Sequence, residues 1–114
     1  MYKLVILIEE SEDSPAFNDA WPGFLRLAES MPGLQRETFS RVESVLFSHI
    51  YPSLMHELYF DSLEAARLAM ASPTGREAGR LLQEISGGRV TLFLADHKED
   101  NLENIRKHAA ARKP

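Results

Sequence analysis

The sequence has no cysteine, which excludes disulfide bonds, thiol chemistry and zinc sites built on thiolates. It also has no excess of basic residues, because 13 Lys and Arg stand against 17 Asp and Glu, a formal net charge of −4. Nucleic acids and anionic membranes both require a basic surface, so neither is expected as a partner. The apolar run YKLVILI is too short for a transmembrane helix, and no small-residue cleavage site follows it. We therefore expect a cytoplasmic protein.

Internal repeats, low-complexity tracts and linkers are absent as well. A chain of 114 residues with 44% hydrophobic and 26% charged residues is large enough for one hydrophobic core, so we expect a single domain over residues 1–114. The sequence has no nucleophile elbow, dinucleotide fingerprint or haem attachment motif. Its four histidines have no metal-ligand spacing. We expect neither a cofactor nor a metal.

The apolar patterns predict strands in YKLVILIEE, LQRETFSRV, MHELYF and RVTLFLAD, with helices between them. Because Pro22 interrupts the first helical pattern, that helix is expected to begin near Asn18 or Asp19, or to be kinked. ESVLFSHIYPSL is expected to be a long connection with apolar contacts of its own, and SPTG is expected to break the second helix before REAGRLLQEIS resumes it. The order β-α-β-β-α-β, plus an extra C-terminal helix, predicts an α+β, ferredoxin-like fold with a four-stranded antiparallel sheet and helices on one face.

Alternation along the strands predicts which side chains face the helices. Phe60 ends the third strand beneath the following helix, so Leu58 and His56 are expected on the same side. The opposite face, called the bare face here, is then predicted to carry Val5, Leu7, Met55, Glu57, Tyr59, Thr91 and Phe93. This set is too apolar to stay in water, and such a patch marks an interface or a ligand surface. We expect a second copy to cover it, forming a homodimer with a pocket between the two sheets.

The stretch HELYFDSLEAARLAMASPTG, followed by ISGGRVTLFLAD, resembles the second half of the EthD-like family of dimeric α/β-barrel proteins. The first half agrees through MPGLQR and through Phe17 and Trp21, which stand where the family has aromatic residues. The resemblance implies a ferredoxin-like homodimer whose paired sheets enclose a pocket. Relatives in the wider superfamily include cofactor-independent monooxygenases, lactone isomerases, haem-degrading enzymes and polyketide cyclases.

The sequence departs from these relatives at two places where they carry a histidine acid or base. Phe24 and Leu25 stand one turn after the tryptophan of the first helix, and Gly75 and Arg76 stand just beyond the break in the second. These departures weigh against catalysis that depends on a histidine at either position.

Tyr59 and Glu57 are the predicted catalytic pair, because they lie two residues apart on the bare face and could share a proton in a partly desolvated pocket. The structural alternative is that Tyr59 packs in the dimer interface while Glu57 pairs with Arg36 or Arg41. The expected substrate-binding residues are Met55, Phe93, Thr91, Trp21, Tyr51 and His49. His56 lies on the opposite face and is expected to be structural.

Three functions are compatible with these features. The first is a homodimer that holds a hydrophobic or aromatic small molecule and acts as a cofactor-free oxygenase, isomerase or cyclase. The second is a non-catalytic accessory or ligand-binding protein of the same fold, and the third is a monomeric module that docks another protein on its sheet. Whether the chain is an enzyme stays open at this point.

Overall fold

A computed structural model of the chain describes residues 1–9 and 14–111, apart from the side chains of 108–111. Its elements, in chain order, are β1 (Tyr2–Glu9), α1 (Pro15–Glu29), β2 (Arg36–Arg41), β3 (Pro52–Phe60), α2 (Leu63–Ala71), α3 (Pro73–Ser86), β4 (Val90–Asp96) and α4 (Leu102–Ala111). The strands form one antiparallel sheet in the order β2-β3-β1-β4. The predicted α+β, ferredoxin-like fold with an extra C-terminal helix is confirmed.

The hydrophobic core lies between one face of the sheet and the helices α1, α2 and α3. The strand register pairs Leu4 with Leu58 and Ile6 with His56, so all four lie on this face. The helices bury short or flat side chains against it, namely Phe17, Phe24, Ala28, Ala66, Ala69, Ala78 and Leu82. Val5 pairs with Glu57 on one side and with Phe93 on the other, which places all three on the bare face. The predicted assignment of side chains to the two faces is confirmed.

Helix α1 begins three or four residues earlier than the sequence predicted. Ser14 caps it, because its Oγ accepts a hydrogen bond from the Phe17 N–H at 3.2 Å, and Pro15 occupies the first turn. Pro22 then lies inside the helix on its exposed side. The expected start near Asn18 or Asp19 was wrong because the cap and the first-turn proline outweigh the missing donor at Pro22.

The break between α2 and α3 is a single residue, Ser72, and not the whole of SPTG. Its Oγ donates to the Ala69 carbonyl at 2.6 Å and accepts from the Gly75 N–H at 3.0 Å, so it closes one helix and caps the next. Helix α3 therefore begins at Pro73 rather than at Arg76. A Cβ at Gly75 would lie 2.1 Å from the Ala69 carbonyl oxygen, so only glycine fits at this corner.

Part of the bare face is already buried within one chain, since Val5, Tyr59 and Glu57 are only 3%, 3% and 8% exposed. The expected apolar contacts of the connection between β2 and β3 were wrong, because Leu46 and Phe47 are each 94% exposed and so make almost no apolar contacts within this chain.

Candidate functional site

The predicted catalytic pair lies in a tightly bonded polar cluster on the bare face. The Tyr59 hydroxyl donates to Glu57 Oε2 at 3.2 Å, and the same carboxylate oxygen forms an ion pair with Lys3. Thr38 Oγ1 lies 3.4 Å from the Tyr59 hydroxyl. The ion-pair partner of Glu57 is thus Lys3 on β1, and neither Arg36 nor Arg41. The pair is brought together, but its hydrogen-bonding groups are already engaged.

The segment His97–Glu99, called the strap here, covers this cluster. The His97 N–H donates to the Met1 carbonyl at 2.8 Å, and the His97 ring lies edge-on to Tyr59 with ring centroids 5.0 Å apart. Glu99 pairs with His97 at 2.8 Å and accepts from Arg36 at 3.3 Å, contacts that lower the pKa of Glu99. The Arg36 guanidinium stacks 4.2 Å from the centre of the Tyr59 ring. The strap therefore links the end of β4 to the start of β2, across the sheet.

The expected substrate-binding residues are not gathered at one place. Met55 and Thr91 both pair with Leu7 and lie with Phe93 on the bare face, where Phe93 is 45% exposed. His49 and Tyr51 lie on the exposed connection between β2 and β3. Trp21 packs on the other face of the sheet, with its ring edge-on to His56 at 5.7 Å. Within one chain, Trp21 and Tyr59 cannot line the same pocket.

The cavities that the structure describes lie on the helix side of the sheet. One, called the α3 cavity here, has a volume of about 200 Å³ and an almost wholly apolar lining. Sheet and α1 side chains form its floor, and Ala78, Gly79 and Leu82 of α3 form its roof. Gly79 leaves room for it, since no atom lies within 4 Å of a Cβ built at this position. Arg76 is the one charged residue in the lining.

A second space, called the Trp21 cavity here, has a volume of about 350 Å³ and lies between α1 and the edge strand β2. Its lining consists of Trp21, Leu25, Glu37, Thr38, Phe39 and His56. Phe39 pairs with His56 across the strands, and Glu37 lies on the same side two residues earlier. The sequence analysis overlooked Glu37 and Phe39, although alternation along RETFSR puts both on the helix side.

His56 is the buried polar group of this second cavity. It is 3% exposed, and its Nε2 lies 3.0 Å from Glu37 Oε2. An ionised carboxylate can only accept, so Nε2 carries the proton and Nδ1 is left without a hydrogen-bond partner. Burial lowers the pKa of His56, against the opposing charges of Glu29 and Glu57. A neutral imidazole held by a carboxylate is therefore part of the wall.

Among the side chains that the structure describes, those of residues 1–9 and 14–107, no three His, Asp or Glu are arranged to hold a metal ion. No helix in the same part of the chain is both long and apolar enough to cross a membrane.

Comparison with solved structures supports the resemblance to the EthD-like family. An ethyl tert-butyl ether degradation (EthD) family protein from Bacillus halodurans superimposes with a TM-score of 0.76 at 27% identity, over 86% of this chain and 99% of that one. The chain is similar to this EthD family protein in sequence and fold, and is called EthD-like here. An uncharacterised 11.0 kDa protein of Rhodococcus erythropolis, from the thcB-thcC intergenic region, is 25% identical over 86% of this chain and 96% of its own length. No family model matches the sequence.

More distant structures share the fold of this EthD-like chain. A dimeric protein of unknown function with a ferredoxin-like fold, from Bacteroides fragilis, has a TM-score of 0.60 at 15% identity and covers 84% of this chain and 95% of its own. A variant of SnoaB, a cofactor-independent oxygenase from Streptomyces nogalater, has a TM-score of 0.59 at 17% identity, with 87% and 92% covered.

Proposed function

We propose that this EthD-like protein binds a small hydrophobic, aromatic or polyketide-like compound in the α3 cavity and acts on it without a cofactor, as an oxygenase, isomerase or cyclase. The observation that carries the proposal is the apolar space of about 200 Å³ beneath α3, which the surrounding side chains do not fill. An apolar cavity of about 150 Å³ is large enough to bind benzene. The α3 cavity therefore suits a ligand with one aromatic ring or a short apolar chain.

Filling the cavity from its roof tests this proposal. No atom lies within 4 Å of a Cβ built on Gly79, so Gly79→Leu can place its side chain in the opening without a clash at the backbone. A panel of aromatic compounds is expected to raise the melting temperature of the wild-type protein. A ligand at about 100 times its Kd stabilises a protein by about 2.7 kcal/mol. Gly79→Leu is expected to abolish the ligand-induced shift, and Gly79→Ala serves as the control. A shift that persists in Gly79→Leu would place the ligand elsewhere.

We also propose that the protein is a homodimer. Exposed apolar side chains support it, namely Phe93 at the unstrapped part of the bare face and Leu46 and Phe47 on the connection between β2 and β3. Fold neighbours that are dimeric support it as well. A pocket between two sheets, with Tyr59 and Glu57 as the proton-transfer pair, stays a prediction. A cytoplasmic location stays a prediction from the sequence.

The second candidate function is a non-catalytic binding protein of the same fold. It is favoured by Phe24, Leu25, Gly75 and Arg76, the residues that stand where relatives carry a catalytic histidine. Turnover of any compound that binds in the α3 cavity excludes this candidate, and binding with no chemical change in the compound supports it.

A further inference from the structure

The Trp21 cavity combines apolar walls with a negative charge. Trp21, Leu25 and Phe39 form its apolar and aromatic part, and Phe39 is half exposed. Glu37 is the one ionisable acid of the lining, and no Lys or Arg side chain belongs to it. A cavity of about 350 Å³ falls in the size range of small-molecule sites.

His56 does not neutralise the Glu37 carboxylate. Burial lowers the pKa of His56, so the ring stays neutral near neutral pH and donates one hydrogen bond from Nε2. That hydrogen bond fixes the position of Glu37 Oε2 and leaves the negative charge of the carboxylate in place. The Glu29 carboxyl group lies close to Glu37, and hydrogen bonding and repulsion between the two raise the pKa of Glu29. Among the residues that line the cavity, none carries a positive charge to balance Glu37.

His56 also has a polar atom that packing alone does not explain. Only 3% of His56 is exposed, yet its Nδ1 has no hydrogen-bond partner. A leucine or phenylalanine would fill this core position without leaving a polar atom unpaired, and unpaired buried polar groups are costly. The ring holds Glu37 in place and, between Trp21 and Phe39, shapes the cavity floor.

We propose that the Trp21 cavity binds a small aromatic or apolar amine in its protonated form, with the ammonium group on the Glu37 carboxylate and the apolar part against Trp21, Leu25 and Phe39. An ammonium group supplies the charge that this end lacks, through a charge-assisted hydrogen bond. Aromatic side chains add an attraction for cations that they do not offer to neutral or anionic ligands. The site is separate from the α3 cavity, so it does not depend on the function proposed there.

Trp21 gives a direct signal for this binding, because it is the one tryptophan of the chain. Three probes of nearly the same shape are titrated while its fluorescence is followed: phenethylamine, phenethyl alcohol and hydrocinnamate. We expect a saturable change with phenethylamine and at least about tenfold weaker responses with the alcohol and the acid. Equal affinity for the alcohol or the acid, or no saturable response to the amine, would overturn the proposal.

Matched variants locate the charge. Glu37→Gln is expected to weaken phenethylamine binding at least about tenfold, whereas Glu43→Gln, which removes the same charge from an exposed loop position, is expected to leave it unchanged. Phe39→Lys is a second test that keeps Glu37 and His56. A lysine at this half-exposed edge position can place its own ammonium group on Glu37, so this variant is also expected to weaken phenethylamine binding. Binding that survives both Glu37→Gln and Phe39→Lys would contradict the assignment.

Gly79→Leu separates the two sites. This variant closes the α3 cavity and is expected to keep the full Trp21 response to phenethylamine. Loss of the response in Gly79→Leu, with retention in Glu37→Gln, would assign the amine to the α3 cavity instead.

Discussion

His56 and Tyr59 lie three residues apart on β3, and their side chains lie on opposite faces of the sheet. Alternation alone separates them, and it was enough to show that they cannot form one constellation with Glu57. It could not reveal the partner of either residue. Glu37 reaches His56 from β2 and Lys3 reaches Glu57 from β1, and these contacts depend on strand order and register, which one sequence does not display.

His56 is expected to make stability fall at mildly acidic pH. Its pKa is lowered in the folded chain, so the unfolded chain binds a proton first, and stability is lost as the pH falls below about 6.5 through the folded pKa. Glu29 and Glu57 oppose this shift. Urea unfolding at pH 8 and at about pH 5.5 is expected to show a smaller loss in His56→Leu than in wild type. His49→Gln, at an exposed loop position, is the control and is expected to behave like wild type. An equal loss in His56→Leu would contradict the assignment.

Tyr59→Phe distinguishes a structural from a chemical role of the predicted pair. The change removes the hydrogen bond to Glu57 but keeps the ring beneath Arg36 and His97, so we expect unfolding free energy to drop by about 1–2 kcal/mol in urea denaturation. Ligand-induced thermal shifts are expected to stay as in wild type. A variant of unchanged stability that loses ligand response or turnover would instead support Tyr59 as a functional residue.

The ends of α2 and α3 were harder to predict from the sequence than the helices themselves. The sequence identified a break in the second helical segment. It misplaced the start of α3 because SPTG contains a proline and a glycine, both of which break helices in isolation. In the structure Pro73 occupies a first turn, where it has no donor to lose, and Gly75 is required by close packing rather than by a turn.

Two glycines one turn apart on α3 are expected to respond oppositely to the same change. Gly75→Ala places a methyl group 2.1 Å from the Ala69 carbonyl oxygen, so the α2–α3 corner must move, and we expect a loss of roughly 2–4 kcal/mol. Gly79→Ala meets no atom within 4 Å and removes a flexible residue from a helix interior, so a gain of about 0.5–1 kcal/mol is expected. Chemical denaturation of both variants checks the pair. A loss of similar size in both would contradict the close approach at Gly75.

At the scale of the whole molecule, the order of elements and the periodicity of the strands were sufficient to predict the fold. The cavities were not predictable in the same way, because they depend on how α1 and α3 sit above the sheet. The strap was missed for another reason. Its residues, His97 to Glu99, are polar and carry no periodic pattern, so nothing in the sequence indicated that they cross the bare face.

Phe93→Glu tests the proposed homodimer. The side chain is 45% exposed on the edge strand β4 of the bare face, so a charge there costs little in a lone chain but is costly when a second sheet covers it. Sedimentation is expected to give about twice the chain mass of 12.9 kDa for wild type and a monomer for Phe93→Glu. Leu68→Glu, at an apolar position on α2 that is 63% exposed, is the control and is expected to stay dimeric. A wild-type monomer would support the third reading, a module that docks a different protein.

The strap also sets where a twin subunit can rest. It occupies the end of the sheet at which β1 begins and β3 finishes, so the uncovered area lies toward Leu7, Met55 and the projecting connection with Leu46 and Phe47. Two such chains would overlap at one end of their sheets instead of along their full length. The strapped ends would then point outward, with each Tyr59 kept away from the seam.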